Sequence, residues 1–211
     1  MLRAIALAAV ALQCGCLLDI DLTRLDGATT SGDGGPLAGC PSGTVTGPSG
    51  CVDATVVTRA RYAQFLASRA GDTSGQPDAC RTNSTHVPEG DWPPSAATEA
   101  LPVVHVDWCD AAAFCRWRSA RLCGRNGGGP DEVATVADPA SGEWAAACTR
   151  GLLDLGGNVA EWQDACDEGP GASGGNDPCV ALGGDAMCAN AMTSRRSSAA
   201  VNLGFRCCDS P

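Results

Sequence analysis

The segment LLDLGGNVAEW at residues 152–162 sets the C-terminal part of the fold, together with LGGDAMC at 182–188 and NLGFRCC at 202–208. Gly, Asn and Asp dominate the chain beyond residue 151, which predicts short strands and turns rather than a long helix. The middle segment carries a thiol, Cys188, four residues after a pair of glycines. What this thiol binds or bonds to decides the chemistry that the protein can perform.

The composition predicts one loop-rich, exported domain. The 211 residues include 14 cysteines and 27 glycines, whereas aromatic residues make up only 4%. The sequence has no repeated C-x-x-C pair and only two histidines, so the spacing of a zinc site is absent. Disulfides formed in an oxidising compartment explain the cysteines better. The net charge of −10 argues against nucleic acid as a partner, because phosphate contacts need clustered cations.

The N-terminus has the pattern of an export signal. Arg3 precedes the apolar run AIALAAVALQ, which is too short to span a bilayer, and the run ends close to Cys16. We expect a signal peptide at residues 1–15 and a lipid on Cys16, which would anchor the protein to a membrane of the cell envelope. Gln13 departs from the lipoprotein pattern, so a secreted protein with an ordinary signal is the alternative.

The remaining chain is interpreted as a tether followed by one domain. Residues 16–39 have little apolar periodicity and carry several Gly, Asp and Thr residues, which is typical of a flexible linker. The domain at 40–211 opens with Cys40 and Cys51, which flank a turn that a disulfide could close. The signal peptide and the lipid use two of the 14 cysteines, so an even number remains that can all pair.

Apolar periodicity predicts three helices and several short strands. The helix RARYAQFLASRAG is capped by Thr58, DAAAFCRWRSARL by Asp110 and GEWAAACTRG by Ser141. The segments VDATVVT (52–58) and PVVHVDW (102–108) have the composition of strands. Long irregular segments join these elements, and a dense set of disulfides can hold them. The sequence therefore predicts an α+β domain with sparse secondary structure and several disulfides.

The order of these segments resembles the formylglycine-generating-enzyme domain family, also called the sulfatase-modifying-factor family. The resemblance is carried by VTRARYAQFL, PVVHVDWCDAAAFCRW, ARL with SGEWAAACTRG, DLGGNVAEW, LGG and NLGFRC. It covers about residues 40–209 and is strongest to the cysteine-rich exported lipoproteins of the family. It implies a C-type-lectin-like α+β fold. The chain departs from the family in a shortened segment after Gly151 and an insertion at 123–140.

The resemblance implies a copper site that this chain does not complete. In the family, two cysteines hold one Cu(I), which activates oxygen to turn a substrate cysteine into formylglycine. The first ligand corresponds to Cys188, but the second position is Thr193. One thiolate cannot build the site that soft Cu(I) favours, and the thioethers of Met187 and Met192 are weak substitutes.

We therefore expect no copper and a non-catalytic binding or structural module. The scaffold can display variable loops that bind a protein, a peptide or a glycan. The alternative is a copper-dependent formylglycine-generating oxidoreductase in which Cys188 acts alone or with Met192 on a cysteine of a sulfatase-type substrate.

The resemblance also implies a disulfide between Cys115 and Cys207. The family pairs the cysteine that corresponds to Cys148 with one that this chain lacks, so Cys148 needs another partner, and Cys188 is a candidate. Such a bond would remove both copper binding and nucleophilic chemistry from Cys188.

DLGGNVAEW resembles a calcium-binding segment of the family. The resemblance assigns side-chain oxygens to Asp154 and Glu161 and backbone carbonyls to Gly157 and Val159. Hard oxygen ligands suit Ca²⁺, and the ion would be structural. The alternative is that the two carboxylates only cap turns.

Five further polar residues receive structural interpretations. His86 and His105 show no metal-ligand spacing and are expected to be structural histidines. Asp107, Asp110 and Glu143 are expected to be caps or surface groups rather than a catalytic pair.

Overall fold

Regular secondary structure is sparse in this domain, which is held by six disulfides. The computed structural model describes residues 39–151, 157–167, 175–185 and 187–209, so the predicted signal peptide and Cys16 lie outside the described residues. The α-helices within those ranges are α1 (Arg59–Arg69), α2 (Trp108–Trp117) and α3 (Glu143–Thr149), and Asp78–Cys80 forms one turn of 3-10 helix. The strands are β1 (Thr44–Thr46), β2 (Cys51–Asp53), β3 (Arg121–Leu122), β4 (Ala160–Cys166), β5 (Pro178–Gly183), β6 (Ala191–Arg195), β7 (Leu203–Gly204) and β8 (Cys207–Cys208). The predicted α+β class is confirmed.

Helix α1 follows the predicted pattern. The side chain of Thr58 caps it by accepting a hydrogen bond from the backbone N–H of Arg61 (3.3 Å). Tyr62 and Phe65 form its buried face. The helix ends at Ala70, whose left-handed conformation closes the last turn.

The predicted caps of the other two helices were wrong. Asp107, not Asp110, caps α2, and the two residues form a capping box: Asp107 Oδ1 accepts from the Asp110 amide (2.8 Å), and Asp110 Oδ2 accepts from the Asp107 amide (3.3 Å). Helix α3 starts after Gly142 without a side-chain cap, because the hydroxyl of Ser141 donates to Asp131 instead (3.0 Å).

Two four-stranded sheets organise the domain, in the orders β1-β2-β8-β3 and β6-β5-β4-β7. All strand pairs are antiparallel except β4 with β7. Of the predicted strand 52–58, Val52 and Asp53 pair in β2, and Thr58 forms a single bridge with Pro102. The segment 102–108 is not a strand: it forms a single bridge at Pro102, and His105 has φ 59°, which lies outside strand geometry.

An aromatic cluster joins α1, α2 and the C-terminal segment. The Tyr62 ring stacks on Phe114 at 5.7 Å, and Phe205 meets them edge-on at 6.2 and 5.3 Å. Phe65 packs against Phe114 at 5.7 Å, and all four side chains are fully buried. Their burial supplies hydrophobic stabilisation where regular hydrogen-bonded structure is scarce.

The twelve described cysteines form six bonds, which tie the irregular segments to the helices and strands. The pairs are Cys40–Cys51, Cys80–Cys109, Cys115–Cys207, Cys123–Cys208, Cys148–Cys188 and Cys166–Cys179. The three pairs considered from the sequence are among them. This set is typical of a protein that folds in an oxidising compartment. Over the described ranges, no helix has the length and apolar character needed to cross a bilayer.

Candidate functional site

Cys188 lies in the connection between β5 and β6, directly after a tight turn. The turn is possible because Gly183 and Gly184 have φ values of 85° and 82°, a region that L side chains rarely adopt. Asp185 Oδ1 then accepts a hydrogen bond from the amide of Met187 (2.8 Å) and fixes the chain that leads to the cysteine. The LGG segment therefore positions Cys188.

Cys188 is bonded to Cys148 on helix α3, with their Cα atoms 5.6 Å apart. Cys148 is buried beside Trp144, so the bond attaches the β5–β6 connection to the core. A sulfur in a disulfide has no thiolate charge with which to hold Cu(I) or attack a substrate. In this state Cys188 offers neither chemistry.

The other residues of the implied copper site lie on exposed surface. Thr193 is in the middle of the edge strand β6, opposite Val180, and its side chain faces solvent. Met187 and Met192 are 63% and 37% exposed. Within the described part of the chain, no three His, Cys, Asp or Glu side chains come together as a metal-binding group.

Glu161 occupies a different environment from the one that the calcium prediction assigns to it. Its side chain is fully buried in β4, and both carboxylate oxygens accept from the Arg206 guanidinium (2.5 and 2.7 Å). Trp144 Nε1 donates to the same carboxylate (2.9 Å). Arg206 also donates to the backbone carbonyl of Asp53 (2.9 Å). Three of the sequence segments that define the domain therefore meet at one ion pair.

In this arrangement Glu161 does not fit the role of a calcium ligand. A Ca²⁺ ion at the usual ligand distance of about 2.4 Å would lie close to the Arg206 guanidinium, and the two cations would repel each other in a buried site. Val159 is buried, and Gly157 has φ 99°, which keeps the turn tight. Asp154 lies outside the described residues, so calcium at this loop stays a prediction.

The sequence does not predict two partly buried ion pairs that lie close to this one. Arg118 donates twice to Asp53 (2.8 and 2.7 Å), which also accepts from the amide of Cys207 (3.1 Å). Arg121 binds Glu143 through two contacts of 2.6 Å, so Glu143 is a buried partner and not a cap or surface group. Both pairs join residues far apart in sequence, and no local pattern signals them.

A cluster of polar groups surrounds the start of α2. His86 is buried and donates through Nδ1 to Asp110 Oδ1 (3.1 Å), which also accepts from Asn83 (2.8 Å). Burial, followed by the nearby Asp110 carboxylate, raises the pKa of Asp107 to about 7. His105 is half-buried. The two histidines and the capping aspartates are thus structural groups. Nε2 of His86 has no hydrogen-bond partner among the described residues.

The fold and the site define a disulfide-rich α+β domain in which the candidate functional cysteine, Cys188, is bonded to Cys148. The sequence profile of the sulfatase-modifying factor enzyme 1-like domain family matches residues 26–151, and the chain belongs to this family. The match ends before Cys188. No protein of curated function matches the chain.

Two solved structures are similar to the chain at low identity. CarF is 18% identical over 76% of this chain and 86% of its own, with a TM-score of 0.45. The Treponema denticola variable protein 1 is 20% identical over 76% of this chain and 84% of its own, with a TM-score of 0.41.

Proposed function

We propose that this protein is an exported, lipid-anchored member of the sulfatase-modifying-factor family that acts as a non-catalytic binding or structural module. The observation that carries the proposal is the bond between Cys188 and Cys148. A cysteine held in this way cannot serve as a copper ligand without prior reduction.

The second ligand position supports the same proposal. Thr193 has a hard hydroxyl oxygen, whereas Cu(I) prefers soft sulfur. Reduction would free Cys148 and Cys188 together, but Cys148 belongs to helix α3 and is not at the family's second ligand position. The other sulfurs near Cys188 in sequence are the exposed thioethers of Met187 and Met192, which are weak ligands compared with a thiolate.

The scaffold suits binding rather than turnover. Six disulfides and the buried Glu161–Arg206 pair fix the frame, while irregular segments cover much of its surface. Rigid frames that present variable loops commonly bind other molecules through those loops. A protein, a peptide or a glycan is the proposed kind of ligand, and the lipid on Cys16 would keep the binding surface at a membrane.

Copper titration combined with a formylglycine assay tests the non-catalytic role. As-isolated and reduced protein are titrated with Cu(I) and then incubated with a C-x-P-x-R peptide. We expect no formylglycine product from either form, and no stoichiometric copper on the as-isolated protein. One tightly bound copper per chain together with product would establish the oxidoreductase alternative.

A designed variant serves as the positive control. The change Cys148→Ala with Thr193→Cys frees Cys188 and supplies a second thiol at the position where the family has one. In reductant, this variant is expected to bind more Cu(I) than Cys148→Ala alone, which frees Cys188 but keeps Thr193. Equal binding by the two proteins would show that the second thiol is not what the chain lacks.

The anchor has its own matched pair of variants. Cys16→Ser is expected to move the protein from the membrane fraction to the soluble fraction, because the lipid attachment residue is lost. Cys14→Ser lies two residues away and should leave the membrane fraction unchanged. Identical fractionation of both variants and the wild type would contradict the anchor.

A further inference from the structure

A cleft between helices α1 and α2 and the segment that follows α1 combines features that none of the roles above uses. It has a volume of about 230 Å³, enough for one small ring-containing molecule. Its walls include Arg69, Ser74, Gln76, His86, Arg116 and Trp117. All the residues that line it belong to the described part of the chain.

Two guanidinium groups line the cleft of a protein whose net charge is −10. None of the described lining residues is Asp or Glu, and the nearest acidic partner of Arg69 is Asp72, whose carboxylate lies 3.4 Å from Nη2. Arg69 uses Nε and Nη2 to hold the carbonyls of Asp72 and Ser74 (3.0 and 2.7 Å), and Arg116 uses Nη1 to hold that of Gly75 (2.9 Å).

These bonds fix the two guanidinium groups while leaving part of their donor capacity unused among the described residues. Arginine's planar donors match the two oxygens of a carboxylate. The cleft is therefore suited to a carboxylate-bearing ligand.

His86 adds a second requirement to the ligand. Its side chain is buried, and because Nδ1 bonds the Asp110 carboxylate, Nε2 is the ring nitrogen left for a ligand. Nε2 has no hydrogen-bond partner among the described residues. A buried polar atom without a partner is costly, and a ligand hydroxyl that reached Nε2 would remove that cost, because a hydroxyl can either donate or accept.

Trp117 supplies the third feature, a flat apolar wall. Its ring is 41% exposed, although Phe65 and Phe114 hold it from behind at 5.8 and 5.6 Å. An exposed ring fixed in this way offers its surface to an apolar face of a ligand. A carboxylate, a hydroxyl and an apolar ring face occur together in a carboxylated sugar.

We propose that this cleft binds a uronate, either as a free sugar acid or as one residue of an acidic glycan. The carboxylate would contact Arg116 and Arg69, a hydroxyl would bond His86 Nε2, and the sugar face would lie on Trp117. This inference rests on the proposed binding role and names the ligand for it.

Calorimetric titration with matched sugars tests the assignment. Glucuronate is expected to bind one per chain, whereas glucose, which lacks the carboxylate, should bind at least about tenfold more weakly. Benzoate, which lacks the hydroxyls, should also be weaker. A galacturonate trisaccharide that binds more tightly than its monomer identifies a glycan residue as the ligand, and equal affinity per site identifies the free acid.

Two variants separate the cleft from general charge effects. Arg116→Gln keeps a donor for Gly75 but removes the cation, and about tenfold weaker glucuronate binding is expected. Arg195→Gln removes an exposed cation on β6 and should bind as the wild type does. Equal unfolding midpoints of both variants show that each is folded; if Arg116→Gln is not, Trp117→Phe replaces it, with weaker binding expected from the smaller ring.

Three results would overturn the proposal. These are no uronate binding at millimolar concentrations, benzoate binding as tight as glucuronate binding, and equal affinities of the Arg116 and Arg195 variants. None of them alters the outcome of the copper and formylglycine assays. Failure of the ligand assignment is therefore distinguishable from failure of the non-catalytic role.

Discussion

Replacing Cys148 and Cys188 together by alanine measures what their bond contributes to the fold. The bond spans 40 residues, and the Cys166–Cys179 bond inside that loop bypasses 13 of them. The effective loop is therefore between about 27 and 40 residues long, and for these lengths chain entropy predicts a loss of about 3.5 to 4 kcal/mol in the free energy of unfolding. The same relation gives about 2.8 kcal/mol for Cys40–Cys51, which spans 11 residues.

Urea unfolding without reductant is the assay. The variant C148A/C188A should lose about 1 kcal/mol more than the control C40A/C51A, because its loop is longer. Its slope of free energy against urea should also rise, since the unfolded chain is less constrained and exposes more surface. A changed slope locates part of the effect in the unfolded state.

Two results would refute this reasoning. One is a C148A/C188A variant as stable as the wild type, which would mean that the bond constrains nothing. The other is alkylation of Cys188 in native, unreduced protein, detected by peptide mapping. That result would return a free thiol to the candidate copper position and weaken the case against catalysis.

Three further predictions concern the buried polar groups and one glycine. Glu161→Gln leaves the buried Arg206 cation without its carboxylate, so urea unfolding should show a loss of about 3 to 5 kcal/mol in the free energy of unfolding. Burial raises the pKa of Asp107 from 3.8 to about 7, so the folded protein keeps a proton that the unfolded chain releases. Stability therefore falls as the pH rises from about 4 to about 7, and Asp107→Asn, which retains the cap, should flatten this part of a pH series of unfolding curves. Gly204→Ala would place a methyl group 2.9 Å from the carbonyl oxygen of Val103, and a loss of about 1 to 3 kcal/mol is expected from thermal unfolding.

The sequence predicts the fold best where a local pattern decides the structure. Thr58 precedes an amphipathic segment, and the helix begins where that pattern predicts. The prediction of a strand at 102–108 is wrong because amides of this segment donate to irregular parts of the chain rather than to a neighbouring strand. The amide of His105 bonds the carbonyl of Ala200, and that of Trp108 bonds the carbonyl of Arg196. Strand composition cannot reveal partners of this kind.

The same limit applies to the candidate site. Glu161 and Arg206 are 45 residues apart, and nothing near either residue in the sequence indicates that they form a buried pair. A carboxylate in a glycine-containing turn has the pattern of a cation ligand, and only the fold shows that its cation is a guanidinium. The sequence does not predict the cleft between α1 and α2 for a similar reason, because its two arginines, Arg69 and Arg116, come from different helices.

The residues that mark the chain as a family member and the residues that would perform the family's chemistry are physically separable. Trp144 and Arg206 come from two of the defining segments, and both donate to the carboxylate of Glu161 in a third. Cys188 is not part of these hydrogen bonds; it is bonded to Cys148 and packs at the edge of the cluster that contains Trp144. Thr193 lies on the exposed edge strand β6. A chain of this kind can therefore keep the family's sequence pattern and fold while its surface takes up a different function.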